Sequence, residues 1–222
     1  MNEMINLAKY IILPQTTTHP DFLISEQVTD HGYDHNQYKE LLEKEDCFML
    51  SFDLLAEFLK MCKSGKAHNG LGNQVDPAKL EQILGEISES RTRPRGGGVA
   101  HEFLDDRYSK QDNQLQVAYH KFDSSGKLIE VTENLDQDTL IENSKINLEG
   151  WINGRDRTSQ GLPRTKISSG RSFYRPPEDG RVAWLAVWLS NSAGGICLGG
   201  DDFPLASEYP PGVRRAKILD QK

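Results

Sequence analysis

The stretch at 90–100, SRTRPRGGGVA, separates two kinds of hydrophobic periodicity, and this division constrains the chain more than any single motif. Before it, apolar residues recur at helical spacing; after it, they alternate. A helix buries one stripe at a period near 3.6 and a half-buried strand one face at a period of two. In SFDLLAEFLKMCK (51–63), Leu55, Phe58, Leu59 and Cys62 fall at i, i+3, i+4 and i+7, which predicts an amphipathic helix. Asp76 and Pro77 open a second, a capping carboxylate followed by proline at the first helical position. Leu80, Ile83, Leu84 and Ile87 repeat the stripe, and Gly85 does not break it. Residues 14–46 read as polar and irregular until Tyr38, where a short helical pattern begins. Residues 1–90 are therefore expected to be a helical region packed on the rest.

Beyond the division, Leu115, Val117 and Tyr119 alternate with polar residues, FDSSGK turns, and Leu128, Ile129 and Val131 continue. That predicts a hairpin of two half-buried strands. LDQDTLIENSK (135–145) is expected to be a short helix capped by Asp136 or Asp138, with Ile146, Leu148, Trp151 and Ile152 packed nearby. Residues 154–180 are rich in Gly, Ser, Arg and Pro, which suits turns. VAWLAVWL (182–189) reads as a buried strand or a short apolar insertion. The stretch at 188–214, WLSNSAGGICLGGDDFPLASEYPPGVR, has neither helical spacing nor clean alternation, yet it holds Trp188, Ile196, Cys197, Leu198, Phe203 and Tyr209. It is either a long surface loop or a binding face.

A net charge of -7 over 222 residues argues against a general nucleic-acid binder, whose footprint would be basic. No apolar run approaches the ~20 residues of a membrane helix, so no membrane span is expected. Glu3 stands where a secretory signal wants positive charge, and the apolar patch there covers only 10–13, so no signal peptide is expected. Cys47, Cys62 and Cys197 are widely spaced and odd in number, without zinc spacing or a disulfide framework. The chain is expected to be made in a reducing compartment, with display at a surface left open.

Candidate chemistry is sparse. Asp30, His31, Asp34 and His35 are close in TDHGYDH, but neighbours on one short loop share few ligand directions, and a solvated loop is the better reading. HEFLDD (101–106) lacks the second histidine of a metalloprotease helix, so His101 and Glu102 read as surface residues at a strand entrance. PRGGGV (94–99) lacks the Lys-Ser/Thr of a phosphate loop. Arg91, Arg93 and Arg95 could contact an anion but read as solvated. Cys197 shows no base partner and reads as a small buried residue. No catalytic set, metal site or cofactor is expected.

From Gly170 the chain runs GRSFYRPPEDGRVAWLAVWLSNSAGGICLGGDDFPLASEYPPGVRRAK. The frame Arg171, Ser172, Phe173, Tyr174, then Val182, Ala183, Trp184, then Gly212, Val213, Arg214 resembles the ends of variable proteins of diversity-generating retroelements, especially archaeal ones. The resemblance covers roughly 100–217. It implies an α+β, C-type lectin-like fold with much irregular structure, of the subclass shared with formylglycine-generating enzymes, over 91–222 and preceded by the N-terminal helical region. It further implies a variable segment at about 182–214. In that family adenines of the final coding segment are mutated, so an AAY codon becomes any NNY codon and never encodes Trp, Glu, Gln, Lys or Met. Between Leu185 and Val213 only Trp188 and Glu208 are out of reach.

The resemblance implies a ligand-facing set of Leu185, Val187, Ser190, Asn191, Ser192, Gly195, Leu198, Gly200, Asp201, Phe203, Leu205 and Tyr209. Trp184, Trp188, Glu208, Gly212, Val213 and Arg214 would be the frame. The implied partner is a varied protein or cell-surface ligand, bound without catalysis. Two alternatives stand beside it. One is a lectin of fixed specificity with Ca2+ bridging a glycan through Asp201 and Asp202. The other is a formylglycine-generating-type oxidase, against which Cys197 weighs because it has no cysteine neighbour.

Overall fold

A computed structural model of the chain describes residues 6–29, 33–88, 101–112, 114–176, 183–190, 195–200 and 212–219, with backbone alone at 86–88, 101, 183–190, 195, 196 and 200. The fold is mixed, with helices and two largely antiparallel sheets. In chain order the strands are β1 (Tyr10–Leu13), β2 (Phe22–Ser25), β3 (His68–Asn69), β4 (His101–Gln111), β5 (Gln114–Phe122), β6 (Leu128–Asn134), β7 (Ser144–Lys145), β8 (Phe173–Arg175), β9 (Ala183–Ser190), β10 (Gly195–Gly200) and β11 (Ala216–Ile218). The helices are α1 (His35–Lys44), α2 (Phe52–Ser64), α3 (Pro77–Ser88) and α4 (Leu148–Ile152). Among the described residues no helix is long and apolar enough to cross a membrane.

The two predicted helices form where their stripes place them. The Ser51 hydroxyl accepts from Leu54 N at the start of α2, and Gly65, in the left-handed region at φ 69°, ends it with its N–H on the Cys62 carbonyl. Leu55, Phe58, Leu59 and Cys62 are all buried. Asp76 caps α3, its carboxylate accepting from Ala78 N at 2.9 Å, and Leu80 and Ile83 pack beneath. The predicted hairpin is β5 and β6, with Tyr119 opposite Val131. Its turn is held by Asp123, whose carboxylate accepts from Ser125 N and Lys127 N.

The N-terminal region is not purely helical. β1 and β2 pair antiparallel, β3 joins the far edge of β1, and β11 closes the other side in the order β11-β2-β1-β3. β2 lies within the stretch expected to be irregular, and all four of its residues are buried. α1 begins at His35 rather than at Tyr38, because Asp34 and Gln37 form a reciprocal capping box. The helix expected over 135–145 is absent: the stretch is irregular and turn-rich and ends in β7. Asp136 instead accepts from Ser159 N at 3.0 Å and from its hydroxyl at 2.8 Å, tying the turn to a distant loop. The helix in this part of the chain is α4, capped by Asn147, whose side-chain oxygen accepts from Gly150 N.

The larger sheet runs β6-β5-β4-β9-β10-β8-β7, with β10 and β8 parallel and the remaining pairs antiparallel. The main core draws on both sides of the 90–100 division: Ile11, Phe22, Phe52 and Phe58 pack with Leu104, Tyr108, Trp151, Tyr174 and Leu198. A smaller cluster of Tyr38, Leu42, Cys47, Met49, Phe103, Cys197 and Val213 joins α1 to the sheet. Trp151 is fully buried, and its indole N–H donates to the Gly161 carbonyl at 2.7 Å.

The sheet is irregular at one place that matters for the site. β4 pairs with β9 through Phe103 opposite Ala186 and then Arg107 opposite Trp184, so β4 carries extra residues between these pairs. The irregularity releases Asp105 and Asp106 from ladder geometry. Asp105 N donates to the Leu50 carbonyl, and the Asp105 carboxylate meets His120 Nδ1 at 2.8 Å. Asp106 is fully buried and accepts from Phe52 N, the first residue of α2, at 2.7 Å.

Burial, reinforced by the neighbouring Asp105 charge, holds the Asp106 carboxyl well above its ordinary value. The folded chain thus holds this proton more tightly than the unfolded one. The stabilising contribution is complete below the unfolded value and is lost as pH rises through the folded value. Asp106→Asn keeps the acceptor for Phe52 N and removes the ionisation. Urea denaturation across pH should therefore show the variant gaining stability relative to the parent chain as pH rises from 4 to 8.

Candidate functional site

The Gly212-Val213-Arg214 triplet is the best-defined part of the implied frame. Gly212 bridges Glu102 in parallel, its carbonyl accepting from Phe103 N at 2.8 Å. Val213 exchanges two bonds with Thr29: Thr29 N donates to the Val213 carbonyl at 3.0 Å, and Val213 N to the Thr29 hydroxyl at 3.2 Å. The triplet thus runs between β4 and the chain that follows β2. It occupies the β4 edge at Glu102 and Phe103, short of where β5 begins to pair at Arg107. A Cβ at Gly212 would lie 2.0 Å from the Thr29 carbonyl oxygen, so only glycine fits.

Arg214 is buried at 1% exposure, which for a guanidinium demands partners. Its Nε donates to Glu102 Oε2 at 3.1 Å, and its Nη1 to the carbonyls of Ser25 at 3.1 Å and Glu26 at 2.6 Å. The Phe58 ring lies 5.4 Å beneath the guanidinium carbon. Glu102 is on β4 and Ser25 ends β2, so one side chain ties both sheets to the core. The expectation that Glu102 is a surface residue is overturned: it is buried as the counter-charge of Arg214. Next in the chain, Arg215 reaches Glu45 at the end of α1 at 2.6 Å.

Within the expected variable segment, β10 lies between β9 and β8. Cys197 is fully buried in the α1-side cluster, and Leu198 is 1% exposed in the main core. Leu198 therefore does not face a ligand, and its place in the ligand-facing set is corrected. β10 is covered on both faces, and large apolar residues are needed there to fill the core. Gly199, at φ 151°, is likewise fixed, since a Cβ would lie 2.0 Å from the Arg175 carbonyl oxygen.

The backbones of Trp184, Leu185, Val187, Trp188 and Ser190 lie in β9, and those of Gly195 and Gly200 in β10; Leu185 is opposite Gly200, Val187 opposite Leu198, and Trp188 opposite Cys197. Asn191, Ser192, Asp201, Asp202, Phe203, Leu205, Glu208 and Tyr209 lie outside the described residues, as do Asp30, His31, Arg91, Arg93, Arg95 and residues 94–99.

The remaining candidates resolve into structure. His35 is not on a solvated loop. It is 3% exposed, its Nε2–H donates to the Leu104 carbonyl at 3.0 Å, and its ring meets Phe103 edge-on at 5.6 Å. Burial pushes it down to about 4, so it is neutral near pH 7. Asp34 caps α1. Cys47 and Cys62 are buried, and burial pushes their thiols up to about 11 and about 12, far from the thiolate a nucleophile needs.

Among the described residues no group of three or more His, Cys, Asp or Glu could hold a metal ion. The Asp105–His120 contact raises the imidazole above its ordinary value, chiefly through the side-chain hydrogen bond. Among the described residues no hydroxyl or thiol bonds to the other ring nitrogen, so the pair ties β4 to β5 without an attached nucleophile. The sequence signal missed at Glu102 and His35 is long-range: their partners lie 112 and 69 residues away.

Comparison with protein-family models, with curated proteins and with solved structures finds no match to this chain.

Removing Arg214 alone leaves Glu102 as an uncompensated buried charge. Arg214→Met should lower the unfolding free energy by about 3–5 kcal/mol, and Arg214→Met combined with Glu102→Leu should recover part of that loss. A double-mutant cycle by chemical denaturation measures both.

Proposed function

We propose that this chain is a non-enzymatic ligand-binding protein with a C-type lectin-like fold, a variable protein of a diversity-generating retroelement whose C-terminal segment contacts varied protein or cell-surface ligands. What supports the reading is the fixation of both flanks of 201–211. On one side Gly199 is locked against Arg175 and Leu198 is in the core; on the other Gly212 is locked between Thr29 and Phe103, and Arg214 is buried on Glu102. A segment meant to accept many sequences must draw its stability from residues outside it, because a large core change costs about 2–5 kcal/mol. Fixed flanks also reduce the ordering entropy lost when a ligand binds. Phe203 and Tyr209 serve as aromatic anchors and the Ser and Asp residues as adaptable polar contacts, the division found in antibody loops.

The decisive experiment is on the DNA beside the gene. The reading requires a reverse transcriptase gene and a near-copy of the final coding segment that differs from the gene only at adenines. Absence of the copy, or differences spread over all four bases, overturns it. In the protein, Phe203→Ser and Tyr209→Ser should leave the denaturation midpoint almost unchanged. Gly212→Ala should cost about 1–3 kcal/mol, the range for forcing atoms into a filled site.

A further inference from the structure

The chain is acidic overall, but its basic residues are unevenly placed. Residues 144–175 hold seven basic side chains (Lys145, Arg155, Arg157, Arg164, Lys166, Arg171 and Arg175) against Glu149 and Asp156. Three of the seven are spent internally. Arg157 is half-buried and pairs with Asp53 and Glu57, Arg164 pairs with Asp138, and Lys166 with Glu142. Lys145, Arg171 and Arg175 make no ion pair among the described residues, and the β7–β8 ladder brings them together.

Burial alternates strictly along β8 and its flanks. Ser172, Tyr174 and Pro176 are buried, while Arg171 and Arg175 are exposed and Phe173 is half-buried between them. Tyr174 faces the core, where its hydroxyl is bonded to that of Tyr108. Lys145 stands opposite Phe173 in the ladder, with its ammonium 5.9 Å over the Phe173 ring. This is the α1-side face, since Phe173 is in register with Cys197 and packs against the edge of the smaller cluster; at that margin the half-buried ring has a cation on each side along the strand and a third across it. Arg175 is in register with Gly199 of β10, so this face lies beside the point where 201–211 leaves the sheet. Glu178 and Asp179, the next acidic residues in sequence, lie outside the described residues.

We propose that the exposed margin of β8, made by Lys145, Arg171, Arg175 and the uncovered part of Phe173, is a constant docking surface for an acidic protein segment, with carboxylates on the two guanidinium groups and an apolar side chain on the open edge of the Phe173 ring. This surface goes beyond the binding role given to 201–211 and does not depend on that segment varying. The arginine fork matches a carboxylate in two-bond geometry, and its long stem lets it reach from the strand face. Charge complementarity chooses the partner. A short acidic segment meets the local excess of positive charge, whereas a long nucleic-acid backbone would also meet the acidic remainder of a chain at -7.

The test uses the full chain and a fluorescein-labelled peptide of alternating Glu and Ala around one central Leu, followed by anisotropy. Saturable binding is expected, weakening as salt screens the charges. Arg171→Ala with Arg175→Ala should weaken it by about fivefold or more, the effect of losing two exposed charge pairs. Lys110→Ala with Lys127→Ala, remote from β8, should leave it within about twofold on the same basis. Replacing 201–207 by Gly and Ser should also leave it within about twofold, which separates this surface from the proposed variable site. The proposal is overturned by absence of saturable binding or by equal loss in the remote lysine variant. It is also overturned by tighter binding of a single-stranded oligonucleotide or a sulfated oligosaccharide than of the peptide.

Discussion

The buried Arg214–Glu102 pair is the contact on which the rest of the fold depends. Taking both charges out of water is costly, and their mutual attraction offsets this only when further bonds complete the geometry. Here the carbonyls of Ser25 and Glu26 and the ring of Phe58 supply part of them, while Arg214 Nη2 is left without a hydrogen bond among the described residues. These partners come from β4, the end of β2 and α2, so the pair forms only when both sheets and the central helix are in place. It is a registry device more than a source of stability. It sets where Gly212 and Val213 lie against β4 and Thr29, and so where the chain returns from 201–211.

The same pattern recurs through the interior. Several of the buried polar groups bridge elements that lie far apart in sequence. Asp106 receives the first N–H of α2, His35 seats α1 on the irregular part of β4, and Trp151 holds the carbonyl of Gly161. Arg157 reaches from the turn-rich segment after α4 to Asp53 and Glu57 on α2. Such bonds add little net energy each but are expensive to leave unmade, so they select one arrangement of helices on the sheets. The irregular loops between 153 and 172 are held by this selection, with little regular structure of their own.

How much of this could be read from the chain depends on how local each signal is. The α2 and α3 stripes and the β5–β6 hairpin were legible because periodicity and turn residues lie within a few positions of one another. β2 was not, since a four-residue run buried on both faces has no alternation to detect. The capping box of Asp34 and Gln37 was present to be read and would have moved the start of α1 to His35. Asp136 misled because a capping carboxylate and a loop-binding carboxylate look alike in sequence, and its choice was made by Ser159. Glu102 was illegible for the same reason: charged residues are rarely buried unless paired, and nothing near it announces Arg214. Of the ligand-facing set, Leu198 fails because β10 is covered on both faces, which an aperiodic stretch does not reveal.

The meeting of β11 with β2 has a consequence for how the molecule is made. Ala216, Lys217 and Ile218 pair with Ile24, Leu23 and Phe22, contacts nearly two hundred residues apart, which slow closure of the smaller sheet. Residues 212–218 follow 201–211 in the chain. A stop codon or lost reading frame within that segment therefore also removes Arg214 and the closing strand. The product keeps Glu102 without its counter-ion and exposes the open edge of β2, the features of a chain that misfolds and is degraded. Closure of the smaller sheet thus requires the chain to be read through to Ile218.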